Sequence, residues 1–332
     1  MDIALVSLGT TPGLRRSDEA FAALVRRAGA SCETVPVRIG ATGRLRRHPA
    51  VTDLVEALAA RRSANGIEAR AVVYSTITAA LLQPAAETPY GIRFDAIAAL
   101  NRPGAGGAWQ RRRERGVLER ARLLMPVSRT AEDAVASYDR PRVRVPIPIE
   151  PVGGAAERDI DAVAYASWPH KRRLETICAA WRGIGGTLVI GGADRDKGLA
   201  WLHRHGIDEP AGIEWAGDLP RDEWLDRLGR ARVFVDASRW EDFGIAPLEA
   251  LSAGTPVVTL GAESEALPLL RELDPRLVTS ESGFAEAIRI GLAYTADERA
   301  RYARRAGELL APYREEAIAR VVADEVLPGL GL

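Results

Sequence analysis

The stretch W-E-D-F-G-I-A-P-L-E-A-L-S-A-G-T-P-V-V, residues 240–258, decides the fold predicted for this chain. Pro247 suits the first position of a helix, because the N–H that proline lacks would have no partner there. Gly254 suits the end of that helix, and the run P-V-V-T-L at 256–260 predicts a buried strand. A helix followed at once by a buried strand is typical of a parallel α/β sheet.

Two carboxylates, eight positions apart, frame the start of this helix. Glu241 lies on the predicted loop and Glu249 at the third helical position. A helix N-terminus preceded by a glycine, here Gly244, can hold a phosphate, and carboxylates accept hydrogen bonds from the hydroxyls of a ribose or a sugar ring. The segment therefore predicts a site for a nucleotide-activated sugar. Two alternatives stay open: Glu249 caps its own helix, and Glu241 is a solvated loop acid.

The pattern E-x7-E followed by A-x-x-A-G-T-P-V-V resembles the signature of retaining glycosyltransferases of the GT-B fold, most closely glycosyltransferase family 4. The resemblance implies an α/β protein with two Rossmann-like domains facing across a cleft, and a metal-independent, retaining hexosyltransferase that uses a nucleoside-diphosphate sugar. It implies that Glu249 holds the ribose and Glu241 the sugar hydroxyls. It also implies donor contacts, mainly through backbone atoms, from four of the seven residues between the carboxylates: Phe243, Gly244, Ile245 and Ala246.

Strand-like and helix-like runs alternate along the whole chain, which predicts two parallel sheets built from βαβ units. Strands are predicted at 3–8, 32–37, 71–75, 123–128 and 143–147, and then at 162–166, 187–190, 213–217, 233–237, 257–260 and 277–279. Prolines and paired glycines at 146–154 predict a linker. We expect an acceptor-binding domain at 1–150 and a donor-binding domain at 151–310. The resemblance adds a C-terminal helix, 311–332, that crosses back to the first domain.

The loop S-W-P-H-K-R-R-L at 167–174 follows a predicted strand of the second half, where ligands of α/β sheets bind. In the family this loop carries an arginine and a lysine that grip the donor diphosphate. Lys171 matches the lysine, whereas the arginine is absent at its usual place, so we expect Arg172 or Arg173 to substitute. The alternative for Lys171, a helix charge with no ligand, is disfavoured because cations are unfavourable at a helix N-terminus.

Four glycines stand at further motif positions. Gly191 and Gly217 end strands of the second half, and the resemblance places them near the donor; simple turns are the alternative. Gly9 and Gly13 follow the first strand, where the family has a glycine-rich loop. The family's sugar-contacting histidine has no clear counterpart, since His48, the only histidine of the first half, stands in a surface-turn sequence.

Bulk properties fit a soluble globular protein of two domains. The 332 residues contain no apolar run long enough to span a bilayer and no signal peptide. Cys32 and Cys178 lack metal spacing and are expected to be packed thiols rather than a disulfide. We therefore expect a cytoplasmic protein, with a possible location at the inner face of the membrane. No metal site and no cofactor other than the donor substrate is expected.

The two halves differ in charge. Residues 1–150 hold 23 Lys and Arg against 15 Asp and Glu, and residues 151–332 hold 22 against 30. This asymmetry predicts an acceptor that is anionic or lipid-linked, with peripheral membrane contact; the alternative is that the arginines only solubilise helices. A glycan is a further candidate acceptor, and no nucleic acid partner is expected. Two other functions stay open: a non-catalytic nucleotide-sugar-binding subunit, and a nucleotide-sugar epimerase or hydrolase on the same fold.

Overall fold

A computed structural model describes residues 1–39, 49–83, 88–102, 104, 107–155 and 157–332. These residues form two compact units. The first unit combines Met1–Pro148 with Glu315–Leu332, and the second unit is Ile149–Arg314. Each unit contains a five-stranded sheet in which every strand pair is parallel. The α/β architecture with two Rossmann-like sheets, predicted from the sequence, is therefore confirmed.

The sheet of the first unit has the strand order β2-β1-β3-β4-β5. Its strands are β1 (Ile3–Ser7), β2 (Cys32–Pro36), β3 (Ala71–Tyr74), β4 (Tyr90–Phe94) and β5 (Leu123–Pro126). Every residue of β1, β3, β4 and β5 is buried, because helices cover both faces of a parallel sheet. Only the edge strand β2 exposes side chains.

The described helices of the first unit lie between these strands and at the C-terminus of the chain. The helices between the strands are α1 (Pro12–Arg27), α2 (Pro49–Ala64), α3 (Ile77–Ala80), α4 (Ala98–Asn101), α5 (Ala108–Arg120) and α6 (Arg129–Ala134). The C-terminal segment consists of the helices Glu315–Val321 and Leu327–Leu330, with the π-helical turn Val322–Val326 between them. The C-terminal segment adds Val322, Val326 and Leu330 to the core formed by Ile3 and Leu5. Burial of these apolar side chains holds the segment on the first unit.

The sheet of the second unit has the order β10-β9-β6-β7-β8. Its strands are β6 (Ile160–Tyr165), β7 (Leu188–Gly191), β8 (Ile213–Gly217), β9 (Ala231–Asp236) and β10 (Val257–Thr259). Its described helices are α7 (Pro169–Arg172), α8 (Leu174–Trp181), α9 (Arg195–Arg204), α10 (Arg221–Arg230), α11 (Ile245–Ser252), α12 (Leu267–Leu273), α13 (Phe284–Leu292) and α14 (Ala296–Leu309). The order places β6 and β9 side by side at the centre of the sheet.

Two predicted strands are wrong, and prolines lie in or next to both. Residues 143–147 are extended and donate from Val143 and Val145 to strand β5, but the prolines at 146 and 148 have no N–H to continue the ladder. Residues 277–279 begin in the 3-10 turn Pro275–Leu277 and make a single bridge to β10 at Val278. Strand β4, Tyr90–Phe94, is missing from the predicted strands.

Helix α11 also begins earlier than predicted. It starts at Ile245, with Gly244 as the preceding cap residue, so Pro247 is the third helical residue and Glu249 the fifth. The prediction was wrong because the N–H groups of a whole first turn have no partner inside a helix, so proline fits its third position as well as its first. Gly254, at φ +66°, follows the helix as predicted.

Among the described residues, no helix is long and apolar enough to cross a membrane. Both cysteines are free and buried, as expected. Burial raises the pKa of Cys32 to about 11 and that of Cys178 to about 12, which keeps both thiols protonated at neutral pH.

Candidate functional site

The strand order of the second unit locates the site. The order reverses between β6 and β9, and ligands of open α/β sheets bind beyond the carboxyl ends of the strands at such a switch point. Strand β6 leads into helix α7, and strand β9 leads into the loop before α11. The side chains of these two segments meet.

Three residues that the sequence singled out form one charged cluster at this switch point. Lys171 Nζ lies 3.5 Å from Glu241 Oε2. Arg172 Nη1 forms an ion pair with the other oxygen of Glu241. Glu241 is 7% exposed at its side chain and both cations are 14% exposed. The predicted proximity of Lys171, Arg172 and Glu241 is thus found in the structure.

Two polar residues at the end of β9 support this cluster, and sequence reasoning missed them. Arg172 Nη1 donates to Ser238 Oγ at 2.9 Å and lies 3.7 Å from Asp236 Oδ1. Ser238 Oγ donates to Asp236 and also lies 3.2 Å from Glu241 Oε1. The rule that ligands gather at the carboxyl ends of parallel strands was the signal that could have found both residues.

Burial weakens the charged forms of the two cations. Desolvation lowers the pKa of Lys171, and the nearby carboxylate of Asp242 opposes that shift. Desolvation likewise lowers the pKa of Arg172, and Asp236 opposes it. Buried cations of this kind gain stability from an anion that enters the site, because a close opposite charge favours the charged form. Glu241, Asp236 and Asp242 already neighbour these two cations, so an anionic group that enters would compete with carboxylates for Lys171 and Arg172.

The backbone of the two loops holds the cluster in place. The N–H of Arg239 donates to the carbonyl of Lys171 at 2.9 Å, and the Arg239 side chain donates to the carbonyl of His170 at 3.1 Å. Arg173 separates α7 from α8 with a left-handed conformation, φ +49°, which a residue with a side chain adopts at a cost. Helix α7 is thereby limited to one turn that presents Lys171 and Arg172 together.

The N-terminus of α11 supplies backbone donors to the same loop. Gly244 precedes the helix with φ +85°, a conformation that glycine adopts without strain. Ile245 and Ala246 are the first helical residues, whose N–H groups have no acceptor inside the helix. The side chain of Phe243 is buried and its ring lies 6.4 Å from that of Tyr313, so only its backbone is available to a ligand.

Glu249 is buried on α11 and has two partners on α10. Its Oε2 accepts from Trp224 Nε1 at 3.0 Å, and its Oε1 forms an ion pair with Arg221. Helix α10 begins at Arg221, and Trp224 follows one turn later, which places both on one face. Sequence reasoning did not connect this helix with Glu249.

The four glycines fall into both units. In the second unit, Gly217 ends β8 with φ +62°. Gly191 ends β7 next to the ring of Trp224, where a Cβ at Gly191 would lie 2.9 Å from Trp224 Cζ3. In the first unit, Gly9 has φ +51° and its carbonyl accepts from Arg15 at 2.8 Å. Gly13 lies in the first turn of α1 with no atom near the position of a Cβ.

Two exposed tryptophans border the charged cluster. Trp168 precedes α7 and is 55% exposed, and Trp240 precedes Glu241 and is 41% exposed. Their ring centres are 5.6 Å apart in an edge-on arrangement, and Lys171 Nζ lies 5.9 Å from the Trp240 ring. Large aromatic side chains that remain exposed are typical of ligand contact surfaces.

His48 lies outside the described residues. Among the residues that the structure does describe, no group of three or more His, Cys, Asp and Glu side chains is arranged to hold a metal ion.

The fold of this chain is shared with proteins of known structure. The chain has the GT-B fold, as its similarity to solved structures confirms. Sucrose-phosphate synthase from Thermosynechococcus elongatus is 15% identical, with a TM-score of 0.75 over 98% of both chains. WaaG, a glycosyltransferase involved in lipopolysaccharide biosynthesis, is 13% identical, with a TM-score of 0.67 over 98% of this chain and 99% of WaaG. HepE from Anabaena, solved in complex with UDP and glucose, is 15% identical, with a TM-score of 0.67 over the same shares.

The family model for group 1 glycosyl transferases matches residues 166–293. This range includes the whole charged cluster, α11 and Glu249. The resemblance stated from the motif is therefore confirmed for this segment of the second unit, which is similar to group 1 glycosyl transferases. No curated protein matches the chain at a significant level.

Proposed function

We propose that this chain is a retaining glycosyltransferase that moves a hexose from a nucleoside-diphosphate sugar to a hydroxyl-bearing acceptor. The observation that carries the proposal is the cluster of Lys171, Arg172 and Glu241 at the switch point of the second unit. It combines buried cations for a diphosphate with a carboxylate for sugar hydroxyls. A location at the cytoplasmic side, with the acceptor a glycan or a lipid-linked sugar, belongs to the same proposal.

When the donor binds, its diphosphate replaces Glu241 as the ion-pair partner of Lys171 and Arg172. Before binding, Glu241 forms ion pairs with both Lys171 and Arg172, and Asp242 and Asp236 each add a second carboxylate beside one of the two cations. The diphosphate then takes over the two cations, and the oxygens of Glu241 become acceptors for the sugar hydroxyls. The amides of Ile245 and Ala246 add donors for a phosphate oxygen or the sugar. Glu249 accepts from the ribose hydroxyls while it keeps its bond from Trp224.

Transfer needs one bond to break and one to form at the anomeric carbon. The bond from this carbon to the phosphate oxygen breaks, and its electron pair leaves with the nucleoside diphosphate. The acceptor oxygen bonds to the same face of the sugar and gives its proton to an oxygen of the leaving phosphate. Lys171, Arg172 and the helix N-terminus stabilise the negative charge that develops on the diphosphate, and such preorganised charge stabilisation is a large part of catalysis.

Two features of the comparisons support this donor class. The family match covers the site and not only the sheet. In addition, HepE and TarM, which share the fold, were solved with UDP. UDP-sugars are therefore the first donors to test.

The test is to incubate the full chain with UDP-, GDP-, ADP- and dTDP-sugars and to measure the slow release of nucleotide. Release from at least one donor, faster than in a Glu241→Gln variant, is the expected result. No nucleotide release from any of the four donors, together with no change of melting temperature by any nucleotide, would overturn the proposal. Binding without any turnover in the presence of sugar acceptors would favour the non-catalytic subunit instead, and an altered sugar in the absence of acceptor, seen by NMR, would favour the epimerase or hydrolase.

A further inference from the structure

Helix α11 is held at both ends by two adjacent residues of the chain, Tyr313 and Arg314. Before its N-terminus, the ring of Phe243 lies 6.4 Å from the ring of Tyr313, which is buried. At its last residue, Ser252 Oγ accepts from Arg314 Nη1 at 2.9 Å. The helix has eight residues and is therefore about 12 Å long. One pair of neighbouring side chains thus reaches both of its ends.

The contact with the N-terminal loop of α11 includes a buried carboxylate. Tyr313 Oη donates to Glu265 Oε1 at 2.6 Å, and the N–H of Glu265 donates to the carbonyl of Phe243 at 3.2 Å. Glu265 is 3% exposed and Phe243 is 4% exposed. Buried hydrogen bonds are costly to break, because the groups would lose their partners away from water. These bonds therefore fix the backbone that leads through Gly244 into α11.

The contact at the C-terminal end uses every hydrogen-bonding position of one hydroxyl. Ser252 Oγ donates to the carbonyl of Glu150 at 2.6 Å and accepts from the N–H of Val152 at 3.2 Å. The bond from Arg314 occupies its second acceptor position. The end of α11 is therefore joined to two other segments of the chain.

Both of these segments lie where the chain passes between the two units, at 148–149 and again at 314–315. The N–H of Ile149 donates to the carbonyl of Tyr313 at 2.9 Å, and Arg314 Nη1 donates to the carbonyl of Ile149 at 3.1 Å. The residues on the second-unit side of both passages are thus bonded to each other as well as to α11.

We propose that Tyr313 and Arg314 are positioning residues that hold α11 in place for the donor and link donor binding to the two passages of the chain. The proposal rests on the proposed function, because it requires that α11 binds a nucleoside diphosphate. If α11 occupies its binding position for only a fraction of the time, the apparent dissociation constant rises by the inverse of that fraction. Coupling is reciprocal, so a bound nucleotide must also stabilise the hydrogen bonds at the passages.

The first measurement is the affinity of the full chain for UDP, GDP, ADP and dTDP by calorimetry, continued with the diphosphate that binds best. A Tyr313→Phe, Ser252→Ala double variant removes the hydroxyls that bind Glu265 and Arg314 and keeps the surrounding packing. We expect its affinity to be about tenfold weaker, as when α11 is in place for about a tenth of the time.

Tyr294→Phe is the matched control. It also removes a buried hydroxyl that donates to a carboxylate, that of Asp274, but it lies between α13 and α14. It should keep the full affinity, although it loses a hydrogen bond of the same kind. A double variant whose affinity falls no more than that of Tyr294→Phe would overturn the proposal and leave the proposed function standing.

The second measurement is hydrogen exchange with and without the diphosphate. We expect the nucleotide to slow exchange of the Ile149 and Val152 amides severalfold more than that of Ala293 at the end of α13, and the double variant to lose this difference. No slowing, or equal slowing at all three amides, would overturn the proposal. If the unchanged chain binds none of the four diphosphates, the proposed function is overturned, and this proposal with it.

Discussion

The two units of this chain use the same kind of sheet but place different chemistry at the point where the strand order reverses. In the second unit, Lys171 and Arg172 meet the carboxylate of Glu241 beside the N-terminus of α11. In the first unit, carboxyl groups surround a cavity whose one described cation is bound to Asp53. Topology thus determines where the carboxyl ends of the strands meet in each unit, while the side chains on the loops determine which charged groups gather there.

The largest effect is expected at the cationic site of the second unit. Lys171→Ala removes a positive charge that would stabilise the departing diphosphate, so turnover should fall by roughly 100- to 1000-fold. Nucleotide release from the preferred donor is the measurement. Arg301→Ala, which removes an exposed cation on α14, is the control and should keep its activity. Equal turnover in the Lys171 and Arg301 variants would remove Lys171 from the mechanism.

The acidic site of the first unit should show itself in the pH dependence of stability. Burial raises the pKa of Glu114 from 4.5 to about 7, so ionisation of this carboxyl opposes folding. The neutral carboxyl of Glu114 contributes to the free energy of unfolding in full below pH 4.5, and this contribution is lost as the pH rises through 7. Between pH 5 and pH 8 this loss amounts to roughly 2–3 kcal/mol. Glu114→Gln should remove that part of the pH dependence.

Urea unfolding of the Glu114→Gln and Glu119→Gln variants at both pH values measures this effect. The Glu119 variant should keep the pH dependence of the unchanged chain, because Glu119 is exposed on the same helix. If the two variants lose stability equally between pH 5 and pH 8, the buried carboxyl of Glu114 is not the cause.

A smaller effect is expected for the second carboxylate of the motif. Glu249→Gln keeps an acceptor for Trp224 Nε1 but loses the charge that would bind ribose hydroxyls. Nucleotide affinity should fall by about 1–3 kcal/mol, the scale of hydrogen bonds to a charged group. Calorimetry with the nucleotide measures it. Glu223→Gln, an exposed residue of α10, is the control, and an affinity equal to this control would exclude Glu249 from ribose binding.

The smallest effects distinguish two glycines that the sequence had assigned to the same role. Gly191→Ala places a Cβ 2.9 Å from Trp224 Cζ3, so it should destabilise the chain by about 1–3 kcal/mol. Gly13→Ala meets no atom within 4 Å and lies in a helix, so it should stabilise by about 0.5–1 kcal/mol. Urea unfolding compares both variants. A destabilising Gly13→Ala would indicate a contact that the structure does not contain.

The sequence predicted the parts of this structure that depend on local patterns. Alternating apolar runs predicted both sheets, and the resemblance of the segments around Lys171 and Glu241 to the family motif led to the expectation that these residues lie together in the second half. The predicted strands at 143–147 and 277–279 were wrong. A proline ends a strand only where its missing N–H would have bonded to a neighbouring strand, and the sequence alone does not show which N–H groups face a neighbour.

The parts that the sequence did not predict depend on contacts between distant residues. The pairing of Glu249 with Arg221 joins positions 28 residues apart, and no local pattern links them. The acidic cavity combines Asp53, Asp95 and Glu114, each on a different element, inside a half of the chain whose net charge is positive. The anionic or lipid-linked acceptor expected from the overall charge stays a prediction.

The most direct test of the central claim is calorimetric titration of the whole chain with UDP, GDP, ADP and dTDP and with the four matching nucleosides. We predict that at least one diphosphate binds far more tightly than its nucleoside, and that a Lys171→Ala, Arg172→Ala double variant loses most of this preference while Arg301→Ala keeps it. A folded double variant that retains the full preference, or a chain that binds none of the four diphosphates, would contradict the account.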